Sequence, residues 1–321
     1  MKKIIFIIPY FGHFNNYFDI WLNSCANNPT IDWLIFTDCK DKHNYPQNVK
    51  IEYTTFEKLK KHFQSFYDFQ ISLEKPYKLC DYRPAYGEIF YEYIKDYDFW
   101  GYCDTDLIWG NLRTFLTDEI LNKYDKIGNR GHCCLLRNTK EMRKAYRYES
   151  SKIVTYKNAF SSNLAYCFDE NKAFGRHCKE CDIKTYDNFT FFDVDYRHDD
   201  YRIPLYEKDN FKLNAHNIFN YNNGKLYLLS VEINSSDVLK KEISYVHLQK
   251  RTINVNIDKD SYNRFLIYKD NFAKCITINA EVIKKLDPKS WKKKLYIKIL
   301  WRKIKAEILH CGGIQYYKYK Y

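Results

Sequence analysis

One segment decides how the chain is interpreted: YDFWGYCDTDLIWGN, residues 97–111. Its aromatic and apolar residues predict a short buried strand. The strand ends in two carboxylates, Asp104 and Asp106, which one residue separates. In an open α/β sheet, ligands bind at the carboxyl ends of the strands, and carboxylates offer hard oxygen ligands to Mg²⁺ or Mn²⁺. We therefore predict that Asp104 and Asp106 bind a divalent metal, which can in turn hold a diphosphate.

The amino-terminal region predicts the sheet to which this strand belongs. Residues 3–9 form a continuous apolar run, residues 15–27 have helical spacing, and residues 32–37 form a second apolar run. A strand–helix–strand order implies two parallel strands joined by a right-handed crossover. We therefore expect an α/β fold with a mostly parallel central sheet flanked by helices.

Two loops of this region carry candidate nucleotide-binding residues. Tyr10 and Gly12 follow the first predicted strand, and Asp38 closes the second. In nucleotide-binding α/β folds, an acid at the end of the second strand often contacts a ribose or a base. Because turns favour Asp for local reasons, a solvated turn residue is the alternative for Asp38.

Composition excludes several classes of protein. The 321 residues are 45% hydrophobic and 18% aromatic, which argues against disorder. The net charge is +12, but residues 284–321 carry twelve Lys and Arg against two acids, so the rest of the chain is only about +2. A basic nucleic-acid-binding body is therefore disfavoured, and we expect no nucleic-acid partner.

The cysteines and the apolar segments favour a cytoplasmic protein. The eleven Cys are scattered and odd in number, which is not the pattern of a disulfide framework. The apolar run near the start is short and is broken by Pro9, so we do not interpret it as a secretory signal. No stretch of eighteen apolar residues predicts a membrane-spanning helix.

A distant segment offers partners for the two carboxylates. Residues 245–251, YVHLQKR, place His247 on a short apolar strand and Lys250 and Arg251 just beyond it. An imidazole can complete a Mn²⁺ site, and the two cations can balance the charge of a diphosphate. The alternative is a core His followed by surface cations.

The chain also resembles a known family. The segments KLCDYRPAYGEIF (78–90), YDFWG (97–101), DTDLIWG (104–110) and HLQKR (247–251) resemble bacterial polysaccharide-locus proteins that are similar to GT-A glycosyltransferases. The resemblance covers roughly residues 1–251. It implies a GT-A-like fold, a divalent metal, a nucleotide-sugar donor and a growing surface glycan as acceptor. We expect a UDP-linked donor and a saccharide or lipid-linked saccharide acceptor in capsule or lipopolysaccharide-type synthesis.

The resemblance also suggests roles for three residues of the first segment. Lys78, Asp81 and Arg83 would face the donor from a helix that precedes the metal-binding strand. Pro84 within this segment predicts a kink or two abutting helices. The alternative is that these charged side chains form a solvated helix face.

An inverting transferase needs a carboxylate base to activate the acceptor hydroxyl, whereas a retaining enzyme does not. The candidates are Asp169, Glu170, Asp193 and Asp195. We favour Asp169 or Glu170 as the catalytic base, because the apolar residues 164–168 place them at the end of a predicted strand. The sequence does not distinguish inversion from retention.

The carboxyl-terminal region predicts a separate function. We expect a GT-A-like domain over residues 1–255 and a basic helical tail over residues 256–321. Within the tail, an apolar stripe that includes Trp301 runs beside a basic face, which is typical of a helix lying on an anionic membrane. The protein would then be peripheral on the inner face of the cell membrane, although a helix docked on the body would have the same pattern.

Two other functions fit part of this evidence. A metal-dependent phosphohydrolase could use the same pair of carboxylates. A protein without enzymatic activity could instead bind a membrane or nucleic acid through the tail.

Overall fold

The computed structural model describes residues 1–150, 153–194, 201, 215–249, 251–288, 297 and 301. Its strands, in chain order, are β1 (Ile4–Pro9), β2 (Ile31–Thr37), β3 (Val49–Tyr53), β4 (Phe99–Cys103), β5 (Leu107–Trp109), β6 (Lys126–Arg130), β7 (Cys133–Arg137), β8 (Thr185–Tyr186), β9 (Phe192–Asp193), β10 (Ala215–Asn222), β11 (Lys225–Glu232), β12 (Leu239–Ile243), β13 (Tyr245–His247), β14 (Asn254–Asn256), β15 (Arg264–Tyr268) and β16 (Asn271–Lys274).

The α-helices of the described residues are mostly short. They are α1 (Phe18–Ala26), α2 (Phe56–Gln64), α3 (Leu79–Tyr82), α4 (Tyr86–Ile89), α5 (Tyr91–Ile94), α6 (Leu112–Phe115), α7 (Asp118–Lys123), α8 (Lys140–Lys144), α9 (Tyr156–Phe160), α10 (Phe174–Glu180) and α11 (Ala280–Leu286). Among the helices formed by described residues, none has the length and apolar character needed to cross a membrane.

The predicted α/β class is confirmed. The central sheet has the order β3-β2-β1-β4-β7-β6-β8, and its first four strands are parallel. β7 then pairs antiparallel with both β4 and β6. The parallel pairing of β1 and β2 across α1 is the predicted strand–helix–strand unit. It places the carboxyl ends of β1, β2 and β4 along one edge.

The central sheet is buried on both faces. In β1, Ile5 and Ile7 pack into one apolar cluster, whereas Ile4, Phe6 and Ile8 pack into the opposite one. A strand covered on both sides must be apolar at every position, which explains the uninterrupted run in the sequence. Helices α2 to α4 contribute to the first cluster, and α1 and α6 contribute to the second.

The segment that contains Pro84 folds as a chain of short helical turns, which agrees with the break in the helix that Pro84 predicts. Two 3₁₀ turns, Pro76–Lys78 and Arg83–Ala85, alternate with α3 and α4. Gly87 of α4 lies directly on Trp100 of β4, so close that a Cβ atom there would stand 2.3 Å from the indole ring. This contact holds the helical segment against the strand that leads to Asp104.

A small sheet joins the two distant segments singled out in the sequence. It has the order β5-β13-β9, in which β13 pairs antiparallel with β5 and parallel with β9. His247 is opposite Leu107, and the backbone N–H of Leu248 donates to the carbonyl of Asp106 at 2.9 Å. The backbone pairing itself therefore brings residue 247 beside residue 106.

A six-stranded sheet, β12-β11-β10-β15-β16-β14, corrects the predicted start of the tail. The residues that form β15 and β16 lie beyond residue 255, but β15 pairs with β10 and β16 pairs with β15 as strands of this sheet. Their core side chains, such as Phe265 and Phe272, are fully buried. The boundary at residue 255 therefore falls inside a sheet. Of the predicted membrane helix, all but Ile297 and Trp301 lies outside the described residues.

We predict that Gly87→Ala destabilises the fold by about 1–3 kcal/mol, the usual cost of overpacking a buried contact. An added methyl at an unobstructed helical position would instead stabilise by up to about 1 kcal/mol. Urea unfolding of the variant tests the sign of the change. The same substitution in a Trp100→Phe background should cost less, because the smaller ring leaves room. An equal cost in both backgrounds would contradict the contact.

Candidate active site

Asp104 and Asp106 lie in the turn between β4 and β5, at the carboxyl edge of the central sheet. Their side chains are 31% and 23% exposed, so both are accessible from solvent. The side-chain amide of Asn15 donates to the carbonyl of Thr105 at 3.1 Å. The loop that follows β1 is thereby tied to the turn that carries the two acids.

His247 completes a cluster of three potential metal ligands. Its Nε2 atom lies 3.3 Å from Oδ1 of Asp106 and 3.8 Å from Oδ2 of Asp104. One ligand atom from each of the three residues lies within 4.8 Å of the others. The sequence predicted these three residues as metal ligands, and the structure brings them together.

The electrostatics of this cluster fit a cation. Burial opposes the charge on His247, but Asp106 and Asp193 outweigh that effect and hold its pKa well above the ordinary value. Burial likewise raises the pKa of Asp106, and the charge of His247 more than offsets this, so that the net shift is downward. Oδ1 of Asp106 is buried and makes no well-formed hydrogen bond within the described residues, although the imidazole of His247 faces it as an ion-pair partner. Two carboxylates and an imidazole suit Mn²⁺ better than Mg²⁺, which prefers oxygen ligands.

Two residues beside His247 were not predicted for this site. Oδ1 of Asp193 lies 2.9 Å from Nδ1 of His247, although the sequence offered Asp193 only as a possible base. The ring of His132 stacks on that of His247 with centroids 4.2 Å apart. Burial, aided by the charge of His247, lowers the pKa of His132 to about 3. Only the β4–β7 pairing, in which Asp104 N–H donates to the carbonyl of His132, could have revealed this neighbour.

Arg83 connects the metal-ligand cluster to the predicted catalytic carboxylates. Its guanidinium donates to Asp104, to Oδ2 of Asp169 at 3.0 Å and to the carbonyl of Gly131 at 2.6 Å. The side chain is 13% exposed. Arg83 thus lies beside the metal-ligand cluster and bridges two acids that are 65 positions apart in the sequence. Its contact with a donor stays a prediction.

Asp169 and Glu170 lie in a turn and not at the end of a strand, which corrects the reason for choosing them. Asp169 is buried, and burial raises its pKa well above the ordinary value although Arg83 opposes the shift. Glu170 is partly exposed, and burial raises its pKa against the opposing hydrogen bond from the backbone of Gly131. Of the two, Glu170 is the more accessible to a substrate.

Lys78 and Asp81 do not face the site. Both are buried, and Lys78 Nζ donates to Oδ2 of Asp81 at 2.7 Å and to the carbonyl of Ala159 at 2.7 Å. Asp81 accepts the backbone N–H groups of Tyr166 and Phe168 at 3.0 and 2.8 Å. Burial lowers the pKa of Lys78 against the pull of Asp81. The pair therefore fixes the loop that leads to Asp169, and the predicted contact of both residues with a donor is corrected.

Arg251 also differs from the prediction. Its side chain is 2% exposed, and Nη1 donates to Oδ1 of Asp270 at 2.9 Å. Its guanidinium also lies over the ring of Tyr201, 5.1 Å from the centroid. Arg251 is therefore a buried residue that anchors the β14–β16 region and does not face a diphosphate. Lys250 lies outside the described residues.

The loops after β1 and β2 meet at the same edge. The backbone N–H of Gly12, at a φ of +95°, donates to Oδ1 of the exposed Asp38 at 2.9 Å. The half-buried Tyr10 stacks on Phe14 with centroids 4.6 Å apart. Burial, and next the charge of Asp106, raises the pKa of Tyr10. Tyr10 is therefore near the metal-ligand cluster and offers an aromatic face.

We predict that Lys78→Met destabilises the protein by about 3–5 kcal/mol, because it leaves the Asp81 carboxylate buried without its counter-ion. Chemical unfolding of the purified variant measures the loss. Lys95→Met is the matched control, since its partner Glu92 is exposed and such surface pairs contribute only about 0–1 kcal/mol. Equal small losses for both variants would show that the buried pair does not stabilise the loop.

We compared the chain with curated proteins and with solved structures. No curated protein matches the chain. A solved galactosyltransferase, LgtC in complex with donor and acceptor sugar analogues, is 12% identical, with 59% of this chain and 75% of that chain covered and a TM-score of 0.33. The glycosyltransferase GlyE of Streptococcus pneumoniae TIGR4 is 10% identical, with 58% and 45% covered and a TM-score of 0.26.

Likenesses at these TM-scores do not carry an argument, so we derive the function from the side chains of the site. A comparison of the sequence with protein families covers more of the chain than these structures do. Residues 6–276 match one family over most of the chain. The protein therefore belongs to the family described as "Family of unknown function (DUF6625)".

Proposed function

We propose that the protein is a metal-dependent glycosyltransferase that uses a nucleotide-sugar donor. One observation carries the proposal: Asp104, Asp106 and His247 converge at the carboxyl edge of the parallel part of the central sheet, and Arg83 links Asp104 to Asp169. Ligands bind at this edge in open α/β sheets. A divalent metal held there would neutralise the charge of a departing nucleoside diphosphate.

The loops at the same edge supply the nucleotide contacts in this proposal. Tyr10 presents its ring to the base, backed by Phe14. Asp38 is exposed and already fixed by Gly12, so it can accept a hydrogen bond from a ribose hydroxyl without first being ordered. A UDP-linked sugar is the proposed donor.

The turn that carries Asp169 and Glu170 forms the acceptor side. Glu170 is the proposed base, because it is partly exposed and the upward shift of its pKa makes its carboxylate a stronger base. Asp169 acts through Arg83, which it shares with Asp104. The acceptor is a saccharide or a lipid-linked saccharide of a surface glycan. A basic tail that holds the enzyme at the inner membrane face is compatible with such an acceptor.

We predict that Mn²⁺ together with the correct nucleotide sugar stabilises the protein against heating. At a hundredfold excess over Kd, linkage gives about 2.7 kcal/mol of stabilisation. Asp106→Ala and His247→Ala should each lose most of this shift, because both remove a ligand from one site. Asp258→Asn, which changes an exposed carboxylate elsewhere, should keep it. A panel of donors that gives no Mn²⁺-dependent shift, or variants that shift like the wild type, would contradict the proposal.

We predict that Glu170→Gln lowers kcat about 10²- to 10⁴-fold while donor affinity is retained, since removing a general base affects the chemical step. Sugar transfer to a saccharide acceptor and nucleotide release are measured together. Glu92→Gln, an exposed change on α5, is the control. An unchanged kcat would exclude Glu170 as the base. Nucleotide or phosphate release that does not depend on an acceptor would favour the phosphohydrolase.

A further inference from the structure

We propose that Asp193 is a positioning residue that fixes His247 as a nitrogen ligand, and thereby makes the site selective for Mn²⁺ over Mg²⁺. The inference rests on the proposed metal-dependent function. It concerns a carboxylate that the sequence had offered only as a possible base. The basis is the arrangement of groups around the two nitrogen atoms of His247.

The two nitrogens of His247 face different partners. Nδ1 faces Oδ1 of Asp193 at 2.9 Å, whereas Nε2 faces Oδ1 of Asp106 at 3.3 Å. A neutral imidazole carries one proton, and the hydrogen bond of one nitrogen decides which nitrogen keeps it. With the Nδ1 proton held by Asp193, the ring can release only its Nε2 proton, and it then presents the Nε2 lone pair to the space beside Asp104 and Asp106. Carboxylate–histidine pairs of this kind orient metal ligands and raise their basicity.

Asp193 cannot serve as the base for an acceptor. Its side chain is only 3% exposed, so a sugar hydroxyl has no access to it. It is also held from a second side, because Nε2 of Gln249 donates to the same Oδ1 at 2.7 Å. The parallel pairing of β9 with β13 places Asp193 directly beside His247 in register. The carboxylate is therefore fixed by backbone and side-chain contacts to act on the imidazole.

The ring of His247 is also restrained from its face. His132 stacks on it with an interplanar angle of 29°, and His132 itself packs against Phe191 with centroids 5.2 Å apart. Stacking limits the tilt of the His247 ring, while Asp193 limits its rotation. Together they hold Nε2 in one direction before any metal binds. A fixed imidazole ligand favours Mn²⁺, because Mg²⁺ prefers oxygen ligands and dehydrates reluctantly.

The test compares metal binding by the full chain and its variants without an activity assay. Free Mn²⁺ is titrated by electron paramagnetic resonance, and pulsed measurements detect the nitrogen of a coordinated imidazole. Asp193→Ala should weaken Mn²⁺ binding about 10- to 100-fold. It should also reduce the nitrogen signal and narrow the preference for Mn²⁺ over Mg²⁺. Asp193→Asn should show a smaller loss, because its amide oxygen can still accept the Nδ1 proton.

Asp287→Asn is the matched control. Asp287 is also buried and accepts the backbone N–H groups of Tyr201 and Asn217, but it lies away from the metal-ligand cluster. Wild-type affinity and nitrogen signal in Asp193→Ala would overturn the inference, as would an equal loss in Asp287→Asn. If Asp193→Ala does not fold, Asp193→Asn is compared with the same control, Asp287→Asn.

The two proposals can fail separately. If the wild-type protein does not bind Mn²⁺, or if His247→Gln keeps the nitrogen signal, the proposed metal site fails and the inference falls with it. If wild-type binding shows the His247 nitrogen but does not depend on Asp193, only the positioning role fails.

Discussion

The pairing of β13 with β5 is the interaction on which the candidate site depends. His247 and Asp106 are 141 positions apart in the sequence, and this strand pairing brings them together in space. The hydrogen bond from Leu248 N–H to the carbonyl of Asp106 fixes the register. A slip of one residue would turn the imidazole to the opposite face of the small sheet. The ligand geometry is therefore a property of the backbone, and the buried neighbours Ile108 and Val246 stabilise that register through the core.

The charges of the site are arranged around this geometry. Asp104, Asp106, Asp169, Glu170 and Asp193 lie close together, and Arg83 and His247 contact four of them. Carboxylates at such density repel one another unless cations separate them. Arg83 is suited to the task because its planar fork can serve two acids and a carbonyl at once. The two sides of the site are thus coupled, because a substitution at Asp169 would also change how Arg83 contacts Asp104.

The sequence predicted those features that depend on local pattern. The parallel strands, the Asp104–Asp106 turn and the broken helix at Pro84 follow from apolar periodicity and from proline geometry. It did not separate charged residues that face a ligand from those that are buried with a partner, which is why Lys78, Asp81 and Arg251 were misplaced. Nor could it place His132 and Asp193 beside His247. Their proximity to His247 arises from strand pairings between distant segments, and no spacing rule encodes such pairings.

The contrast between the Lys78–Asp81 and Arg83–Asp104 pairs shows how one short segment performs two tasks. Lys78 and Asp81 are almost fully buried, and they form hydrogen bonds with each other and with the protein backbone. Arg83 and Asp104 remain 13% and 31% exposed at the edge of the sheet. Separating the two partners of a buried ion pair is costly, because it leaves a buried charge without its counter-ion. Such a pair is therefore suited to fixing a loop in one position. The same helical segment therefore fixes the loop that leads to Asp169 and also places the guanidinium of Arg83 between Asp169 and Asp104.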